Sequence, residues 1–427
     1  MEELRDKNEQ PSDLTLRGGH KILVINCGSS SLKYSFYDTS DDSRHAHGVV
    51  ERIGIDGTRL VHRGPQKQIK RDLPRGAFTE AFQAMVNTLT VEATRVIEDT
   101  REVDVVAHRV VHGGERFTRG TVINDEVLAE IEALGTLAPL HNPLNVAGIR
   151  EMRRLMPDVP HVAVFDTAFH HTLPPHAYLY GLPWELYEKR HVRRYGFHGT
   201  SHHYVSWRTA QFLKRPLGEL RLVSCHLGNG SSLCAVAHGR SVDTTMGFTP
   251  AEGLVMGTRC GDIDAGVIAF LERAEGLTAC QSEELLNTKS GLLGLSGISS
   301  DMREILKAAE ERNQRALLAL QTYCYRVRKY IGAYVAAMGG LDALIFTAGI
   351  GQGSSEVRAR AMQGLDCMGV KLHEQRNREA RGSAEVCRIS ADDSSVSVLV
   401  VPTDEEKMMA SEALDALSRC HLEGRST

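Results

Sequence analysis

The sequence contains no long hydrophobic run and no concentrated block of positive charge. Apolar stretches such as 22–25 and 396–401 are strand-sized, far short of the roughly 20 residues of a membrane-spanning helix. Lysine and arginine are dispersed along a chain of net charge −4, so no basic surface for nucleic acid or anionic lipid is indicated. The composition argues against nucleic-acid and membrane partners and favours an enzyme that acts on small molecules.

Cysteine pairs with the spacing of redox or metal motifs are also missing. The nine cysteines are scattered, odd in number and form no Cys-x-x-Cys pair, which is typical of free thiols in a reducing compartment. Residues 1–20 are polar, include Glu2 and Glu3, and lack the apolar core of a secretory signal. We therefore predict a cytoplasmic protein and interpret residues 1–20 as a disordered N-terminal extension.

Strand-like apolar segments alternate with helical patterns along the 427 residues, a length that favours two domains. A long helix is predicted to begin near Asp301, because Asp301 and Glu304 have N-cap and N3 spacing and apolar residues then recur every three or four positions up to Val335. The predicted strands cover 21–26, 34–38, 103–107, 161–165, 221–226, 233–237, 342–347 and 396–401. This alternation predicts an α/β fold.

Three segments rich in glycine or serine follow predicted strands. Those at 27–32 and 228–233 form a faint internal repeat, and a third lies at 348–354. Backbone N–H groups of small residues can approach phosphate oxygens closely, and serine hydroxyls and Lys33 add donors. Neither the Walker motif nor Gly-x-Gly-x-x-Gly is present. An ordinary turn explains any one segment, but the three together favour a nucleotide cleft in a duplicated molecule.

Three charged residues are further candidates for the functional site. Arg109 and Arg259 each lie among glycines, where a planar guanidinium suits a carboxylate or phosphate, although a surface salt bridge is the alternative. Asp166 follows a predicted strand, which suits magnesium coordination, proton handling or a simple cap.

Histidines cluster at 170–171 and 198–203, which raises the alternative of a zinc site. The spacing does not match a zinc motif, because neither His-Glu-x-x-His nor a cysteine pair occurs. Contact with a phosphoryl group is the better interpretation, with structural roles for His202 and His203.

The motifs together resemble those of the acetate kinase family, within the superfamily of acetate and sugar kinases, heat-shock ATPases and actin. The matching segments run in order from about residue 21 to the end of the chain: 26–33, 108–115, 138–143, 165–170, 195–201, 226–232, 246–264, 289–301 and 402–406. The resemblance implies an α/β fold of two duplicated ribonuclease H-like domains with an interdomain active-site cleft. The first domain would cover 21–168 plus 403–427, and the second, 169–402, would form a homodimer interface.

The resemblance also implies an activity. The enzyme would be a phosphotransferase with a carboxyl group as acceptor, catalysing reversible, magnesium-dependent transfer between ATP and acetate to give acetyl phosphate and ADP. A kinase of propionate or another short-chain carboxylate is the alternative, and a non-kinase ATPase of the same superfamily is a more distant one. Mg²⁺ is the implied metal, with Mn²⁺ as a substitute.

Site residues follow from the resemblance, position by position. The implied catalytic residues are Arg109, Asp166, His198 and Arg259, with Arg109 also holding the substrate. The other substrate contacts are Val111, Leu140, His141, Phe197 and Pro250. The metal-positioning residues are Asn26 and Glu405. The nucleotide-binding residues are Lys33, Ser224, Cys225, His226, Leu227, Gly228, Asn229, Gly230, Asp301, Met302, Arg303, Gly349, Ile350, Gly351, Gln352 and Gly353.

Asp166 matches an aspartate that the family uses as a proton donor or acceptor. Because a carboxylate substrate is already ionised near neutral pH, we expect Asp166 to position magnesium or polarise water instead.

The chain departs from the family pattern at several positions. Gln352 and Gly353 replace the usual Glu-Asn, so any contact made by that asparagine side chain is lost. Asp404 stands for the usual asparagine, and Cys260 for the usual serine.

Overall fold

The computed structural model describes residues 16, 18–28, 30–74, 76–91, 93–139 and 141–423. Most of the predicted extension 1–20, and Leu140 of the predicted substrate set, lie outside the described residues. The chain divides into two compact units: Met1–Ala168 with Asp404–Thr427 is unit 1, and Phe169–Thr403 is unit 2. No helix among the described residues is long and apolar enough to cross a membrane.

Unit 1 is built on an eight-stranded sheet with the order β5-β4-β3-β2-β1-β6-β8-β7. Its strands are β1 (Lys21–Cys27), β2 (Ser31–Asp38), β3 (Ser43–Glu51), β4 (Arg59–Arg63), β5 (Gln68–Asp72), β6 (Val105–Val110), β7 (Thr121–Val122) and β8 (His161–Phe165). Strands β1 to β5 form an antiparallel meander, whereas β6 and β8 run parallel to β1. The carboxyl ends of β1, β6 and β8 therefore meet at one edge of the sheet.

Both faces of the central strand β1 are covered, as its nearly continuous apolar sequence requires. Leu23 and Ile25 pack with the helix Phe78–Thr90, while Ile22 and Val24 pack with the helix Glu405–Glu423. The other helices of unit 1 are Asp125–Ala133 and Asn142–Leu155, with 3-10 turns at Thr100–Glu102 and Leu134–Thr136.

Unit 2 repeats this architecture in a six-stranded sheet with the order β11-β10-β9-β12-β14-β13. Its strands are β9 (Arg221–Leu227), β10 (Ser231–Ala237), β11 (Arg240–Thr244), β12 (Ala343–Thr347), β13 (Cys387–Arg388) and β14 (Ser397–Val400). Strand β9 is antiparallel to β10 and parallel to β12, just as β1 is antiparallel to β2 and parallel to β6. The predicted duplicated α/β fold is therefore confirmed.

The helices of unit 2 surround a core centred on the longest of them, Gln314–Met338, which buries Leu320, Val327 and Ile331. The others are Pro175–Tyr178, Trp184–Arg190, Gly199–Leu213, Gly266–Glu275, Ala279–Thr288, Gly291–Ser296, Met302–Glu310, Ala348–Gly353, Ser355–Met362 and Glu374–Glu379. Short 3-10 turns occur at Ala168–Thr172, Leu217–Glu219 and Leu365–Met368.

The prediction of one long helix from Asp301 is wrong in its length. Asp301 does cap a helix, since its side chain accepts a hydrogen bond from the Arg303 N–H, but that helix ends at Glu310. Arg312 adopts a left-handed φ of 63°, and the Asn313 side chain then caps the second helix by accepting from the Ala316 N–H. The apolar repeat belongs to this second helix, Gln314–Met338.

The eight predicted strands are all present, with ends displaced by at most three residues. Strands β3, β4, β5, β7, β11 and β13 were not predicted, because most of them are short or carry charged residues at the edges of the sheets.

Candidate active site

An arginine–aspartate pair stands at the sheet edge of unit 1. The Arg109 Nε donates to Asp166 Oδ1 at 2.9 Å, and Nη2 donates to Asp166 Oδ2 at 2.5 Å. Nη1 donates to the Asn26 Oδ1 at 3.2 Å. Burial disfavours the charged guanidinium, but the Asp166 carboxylate outweighs burial and raises the pKa of Arg109. Both oxygens of the buried Asp166 are therefore occupied by one fixed guanidinium.

Glu405 lies in the electrostatic field of this pair, at the start of the C-terminal helix of unit 1. Burial raises the pKa of Glu405 to about 7; Arg109 and Lys33 oppose the shift, whereas Asp166 and Glu406 add to it. The carboxyl group therefore changes charge near neutral pH, unlike an ordinary glutamate. Lys33 is exposed on β2.

Two neighbours of Glu405 fix the start of its helix. Asp404 Oδ1 accepts from the Lys407 N–H at 2.9 Å and from the Tyr37 hydroxyl at 3.1 Å. Glu406 Oε2 accepts from the Ser35 hydroxyl at 2.6 Å. Asp404 is thus an N-cap, a position for which aspartate and asparagine are equally favoured. This explains how the chain accommodates aspartate at that position.

Buried asparagines hold the segment that carries Val111. The Asn145 side chain accepts from the Val111 N–H at 3.1 Å and donates to the Cys27 carbonyl at 3.1 Å. Asn142 similarly accepts from the His112 N–H at 3.2 Å and donates to its carbonyl at 3.0 Å. Neither asparagine was predicted from the sequence. The signal that could have found Asn142 is its place in the matching segment 138–143, directly after His141.

Two stacked imidazole rings, those of His198 and His226, lie at the carboxyl end of β9 in unit 2. His198 precedes the helix Gly199–Leu213 with a left-handed φ of 57°, and its ring stacks on that of His226 with centroids 4.2 Å apart. The His226 Nδ1 lies 2.7 Å from the Ser201 hydroxyl. A non-glycine residue in this conformation is strained, a feature that clusters at functional sites.

Arg259 approaches His198 from a separate segment. An added methyl group on Gly230 would lie 3.4 Å from the Arg259 Nη1 and 3.5 Å from the His198 Nε2, so the two side chains converge on one glycine. Arg259 Nη1 donates to the Pro250 carbonyl at 3.1 Å. Arg259 has no carboxylate partner among the described residues, and burial lowers its pKa.

The predicted substrate residues are divided between the units. Val111 and His141 lie in unit 1, and Phe197 and Pro250 lie in unit 2. Phe197 is buried and its carbonyl lies 3.0 Å from the His170 Nε2, while Pro250 is held by Arg259.

The segment 228–230 after β9 is bound to the segment that precedes Arg259. The Asn229 carbonyl accepts from the Gly257 N–H at 2.9 Å, and a methyl group on Gly257 would lie 1.9 Å from the Asn229 side-chain oxygen. A larger residue at position 257 would therefore force the Asn229 side chain to move. This contact links the predicted nucleotide-binding segment 228–230 to the segment that carries Arg259, the predicted catalytic residue.

The third glycine-rich segment is a short helix, Ala348–Gly353, that follows β12. The fully buried Arg358 donates to the carbonyls of Gly351 and Gln352 at 2.7 and 2.9 Å. Burial lowers the pKa of Arg358 to about 10, and Asn377 holds its other nitrogens. Arg358 therefore positions this segment, and no motif in the sequence indicated it.

Several predicted nucleotide residues could contact a nucleotide only through their backbone. Their side chains are buried in the interior of unit 2: Ser224, Cys225, Leu227 and Met302. Asp301 and Arg303 bind each other at the start of the helix Met302–Glu310, and that contact lowers the pKa of Asp301.

No three His, Cys, Asp or Glu side chains among the described residues are arranged to hold a metal ion. Mg²⁺ does not require such a group, because it keeps several waters and takes only one or two carboxylates beside substrate phosphates. The amide oxygen of Asn26 and the high-pKa carboxyl of Glu405 fit that chemistry, since a cation would relieve the repulsion between Glu405 and Asp166.

Comparisons with known proteins give the family and the fold. The sequence profile of the acetokinase family matches residues 21–411. The acetate kinase of Thermoanaerobacter pseudethanolicus is 52% identical over 394 residues, which cover 91% of this chain and 97% of that protein.

Two solved structures share the fold over nearly their whole length. The Porphyromonas gingivalis acetate kinase has a TM-score of 0.88 at 44% identity and covers 93% of this chain and 100% of its own. The propionate kinase from Francisella tularensis has a TM-score of 0.87 at 37% identity, with 93% and 99% covered.

The raised pKa of Glu405 predicts how stability depends on pH. Because the folded-state pKa lies near 7 and the ordinary value is 4.5, the folded protein retains a proton that the unfolded chain has lost. Stability should therefore fall as the pH rises from about 4.5 to about 7. In metal-free buffer, Glu405→Gln should match the parent in Tm near pH 5 and exceed it at pH 8. Parallel Tm curves for the two proteins would contradict the assignment.

Proposed function

The chain belongs to the acetokinase family, and we propose that it transfers a phosphoryl group reversibly between ATP and acetate, giving acetyl phosphate and ADP. It is a phosphotransferase with a carboxyl group as acceptor. The difficulty of this reaction is electrostatic, since a carboxylate must meet a triphosphate and both are anions. The residues of the site have the charges to overcome that repulsion.

The observation that carries the proposal is Arg259, a partly buried guanidinium with no carboxylate partner among the described residues. Burial disfavours its charge, so an anion that binds beside it would be strongly stabilised. His198 Nε2 approaches the same glycine. We assign Arg259 and His198 to the phosphoryl group in transfer, where charge is spread over its oxygens.

Arg109 has a different role because Asp166 already occupies its Nε and Nη2. The Nη1 group, which contacts Asn26, remains the side from which a substrate carboxylate could be bound. Because both Asp166 oxygens accept from Arg109, we assign Asp166 to orienting Arg109. This role replaces the contact with magnesium or water that we expected from the sequence, and it does not require Asp166 to abstract a proton. This assignment agrees with an acceptor that is already ionised near neutral pH.

Magnesium is proposed as the metal, held by Asn26 and Glu405. When bound, it would neutralise phosphate charge. Glu405 must lose its proton to bind a cation, and a pKa of about 7 makes that loss accessible at physiological pH. Mn²⁺ has similar ligand preferences and is the expected substitute.

Acetate is preferred over propionate in the proposal because the more similar relatives bear the name acetate kinase. The propionate kinase neighbour is less similar, at 37% identity. One added methylene changes binding by only about 1–3 kcal/mol, so propionate should be a slower substrate rather than an inert one. Hydroxamate trapping with each acid would rank them, and faster turnover of propionate would reverse the assignment.

Unit 2 supports a proposed homodimer. Several large apolar side chains are exposed on its helices, among them Ile268 and Phe270 on Gly266–Glu275 and Leu318 and Tyr325 on Gln314–Met338. A second copy of the chain would remove such surface from water, which sedimentation analysis can test. The nine free cysteines support the proposed cytoplasmic location, which cell fractionation can test.

Replacing Arg259 tests the function most simply. Arg259→Ala should lower kcat for acetyl phosphate formation by roughly a hundredfold or more, the effect of removing a charge-stabilising donor. Arg259→Lys, the matched control, should recover part of the loss because it restores the charge but not the planar fork. A folded alanine variant with near-parental kcat would refute this role.

Gly353 allows a test of the nucleotide end. A Cβ at this position meets no atom within 4 Å, so Gly353→Asn should fold normally and could restore the contact of the usual asparagine. We expect the parent to use ATP but to accept GTP well, and the variant to tighten ATP through KM more than through kcat. Strict ATP selectivity in the parent, unchanged in Gly353→Asn, would show that the backbone alone defines this site.

A further inference from the structure

A chain of hydrogen bonds runs from the interior of unit 2 to His198. The His198 Nδ1 lies 2.8 Å from the Ser232 hydroxyl, which also lies 2.8 Å from the His202 Nε2. The His202 Nδ1 lies 2.9 Å from the Ser224 hydroxyl. Ser224, His202 and Ser232 are completely buried, whereas His198 is partly exposed. The series of hydrogen bonds therefore has one inner end, at Ser224, and one outer end, at His198.

The inner end fixes the direction of every hydrogen bond in the chain. The Ser224 hydroxyl has His202 as its only hydrogen-bond partner among the described residues. A buried hydroxyl that accepted there would leave its own hydrogen unpaired, so Ser224 donates to the His202 Nδ1.

The direction of the Ser224 hydrogen bond determines which nitrogen of His202 carries its hydrogen. Burial, with smaller effects from His170 and His226, lowers its pKa well below the ordinary value, so the ring is neutral and carries one hydrogen. Since Nδ1 accepts, that hydrogen is on Nε2 and is donated to Ser232. Ser232 has one hydrogen of its own, and the remaining neighbour that can accept it is the His198 Nδ1.

We propose that Ser224, His202 and Ser232 are positioning residues that hold His198 in the tautomer with its hydrogen on Nε2. This inference rests on the proposed function for its catalytic meaning, but the tautomer itself does not depend on it. Nε2 is the atom that approaches Gly230 beside Arg259. His198 would therefore present an N–H donor to the phosphoryl oxygens while neutral, with no need to bind a second proton.

The tautomer can be read directly by NMR. In protein labelled with ¹⁵N-histidine at pH 8, above the ordinary imidazole pKa of about 6.5, two-bond ¹⁵N–¹H correlations distinguish a protonated Nε2 from a protonated Nδ1. The His198 signals are assigned by their loss in His198→Gln. We expect the parent to show a single form with hydrogen on Nε2.

The decisive variant is Ser224→Ala, because the Ser224 hydroxyl is connected to His198 only through His202 and Ser232 among the described residues. It should turn the His198 signals into those of a tautomer mixture and lower kcat roughly tenfold, with little change in KM. The magnitude is taken by analogy with hydrogen-bond partners of metal-binding histidines, whose loss costs about 10–100-fold. Ser232→Ala should do the same, and Ser232→Thr should restore both readouts.

Ser206→Ala is the matched control, since it removes a buried hydroxyl whose one hydrogen-bond partner among the described residues is the His202 carbonyl. It should leave the tautomer and kcat unchanged. A parent with hydrogen on Nδ1, or a folded Ser224→Ala whose His198 tautomer is unaltered, would overturn the inference. If the parent forms no acetyl phosphate but shows the Nε2–H tautomer, the proposed function fails while the inference about the His198 tautomer stands.

Discussion

The site in unit 1 depends on one ion pair, between Arg109 and Asp166. A buried carboxylate is unfavourable unless it is paired and hydrogen-bonded, and Arg109 satisfies both Asp166 oxygens. Arg109 lies on β6 and Asp166 directly follows the neighbouring parallel strand β8, while Asn26 from β1 binds the same guanidinium. The order of strands in the sheet thus determines which charges lie at its edge. Burial is the main cause of the raised pKa of Glu405, while Arg109 opposes the shift and Asp166 adds to it.

Unit 2 contains a different arrangement of side chains. The His198 and His202 imidazoles are connected through the Ser232 hydroxyl, and Arg259 has no carboxylate partner in the described part of the chain. Donors that are fixed before the substrate arrives need no reorganisation during transfer, which is the main source of electrostatic catalysis. The duplicated fold therefore supports two different arrangements: a carboxylate-bound arginine in unit 1, and in unit 2 an arginine whose charge is available to an anion.

The strands and the duplicated fold were predictable because they depend on local patterns and on two similar segments. The supporting contacts were not, because their partners are distant in sequence. Asn145 binds the Cys27 carbonyl, 118 residues away. Arg358 binds the Asn377 side chain, which is 19 residues away and lies on a different helix. The break after Glu310 was missed for a local reason: the apolar periodicity that suggested one helix gives no sign of the Asn313 cap. The predicted roles of individual site residues remain predictions.

The central claim is that Asp166 acts through Arg109 rather than on the substrate. A double-mutant cycle on kcat/KM tests it, using Asp166→Asn, Arg109→Lys and the double variant. If Asp166 only orients the guanidinium, the double variant should lose no more activity than the worse single variant, because the second change removes nothing further. Losses that multiply in the double variant would show that Asp166 contributes independently, as a proton acceptor would, and would contradict the account.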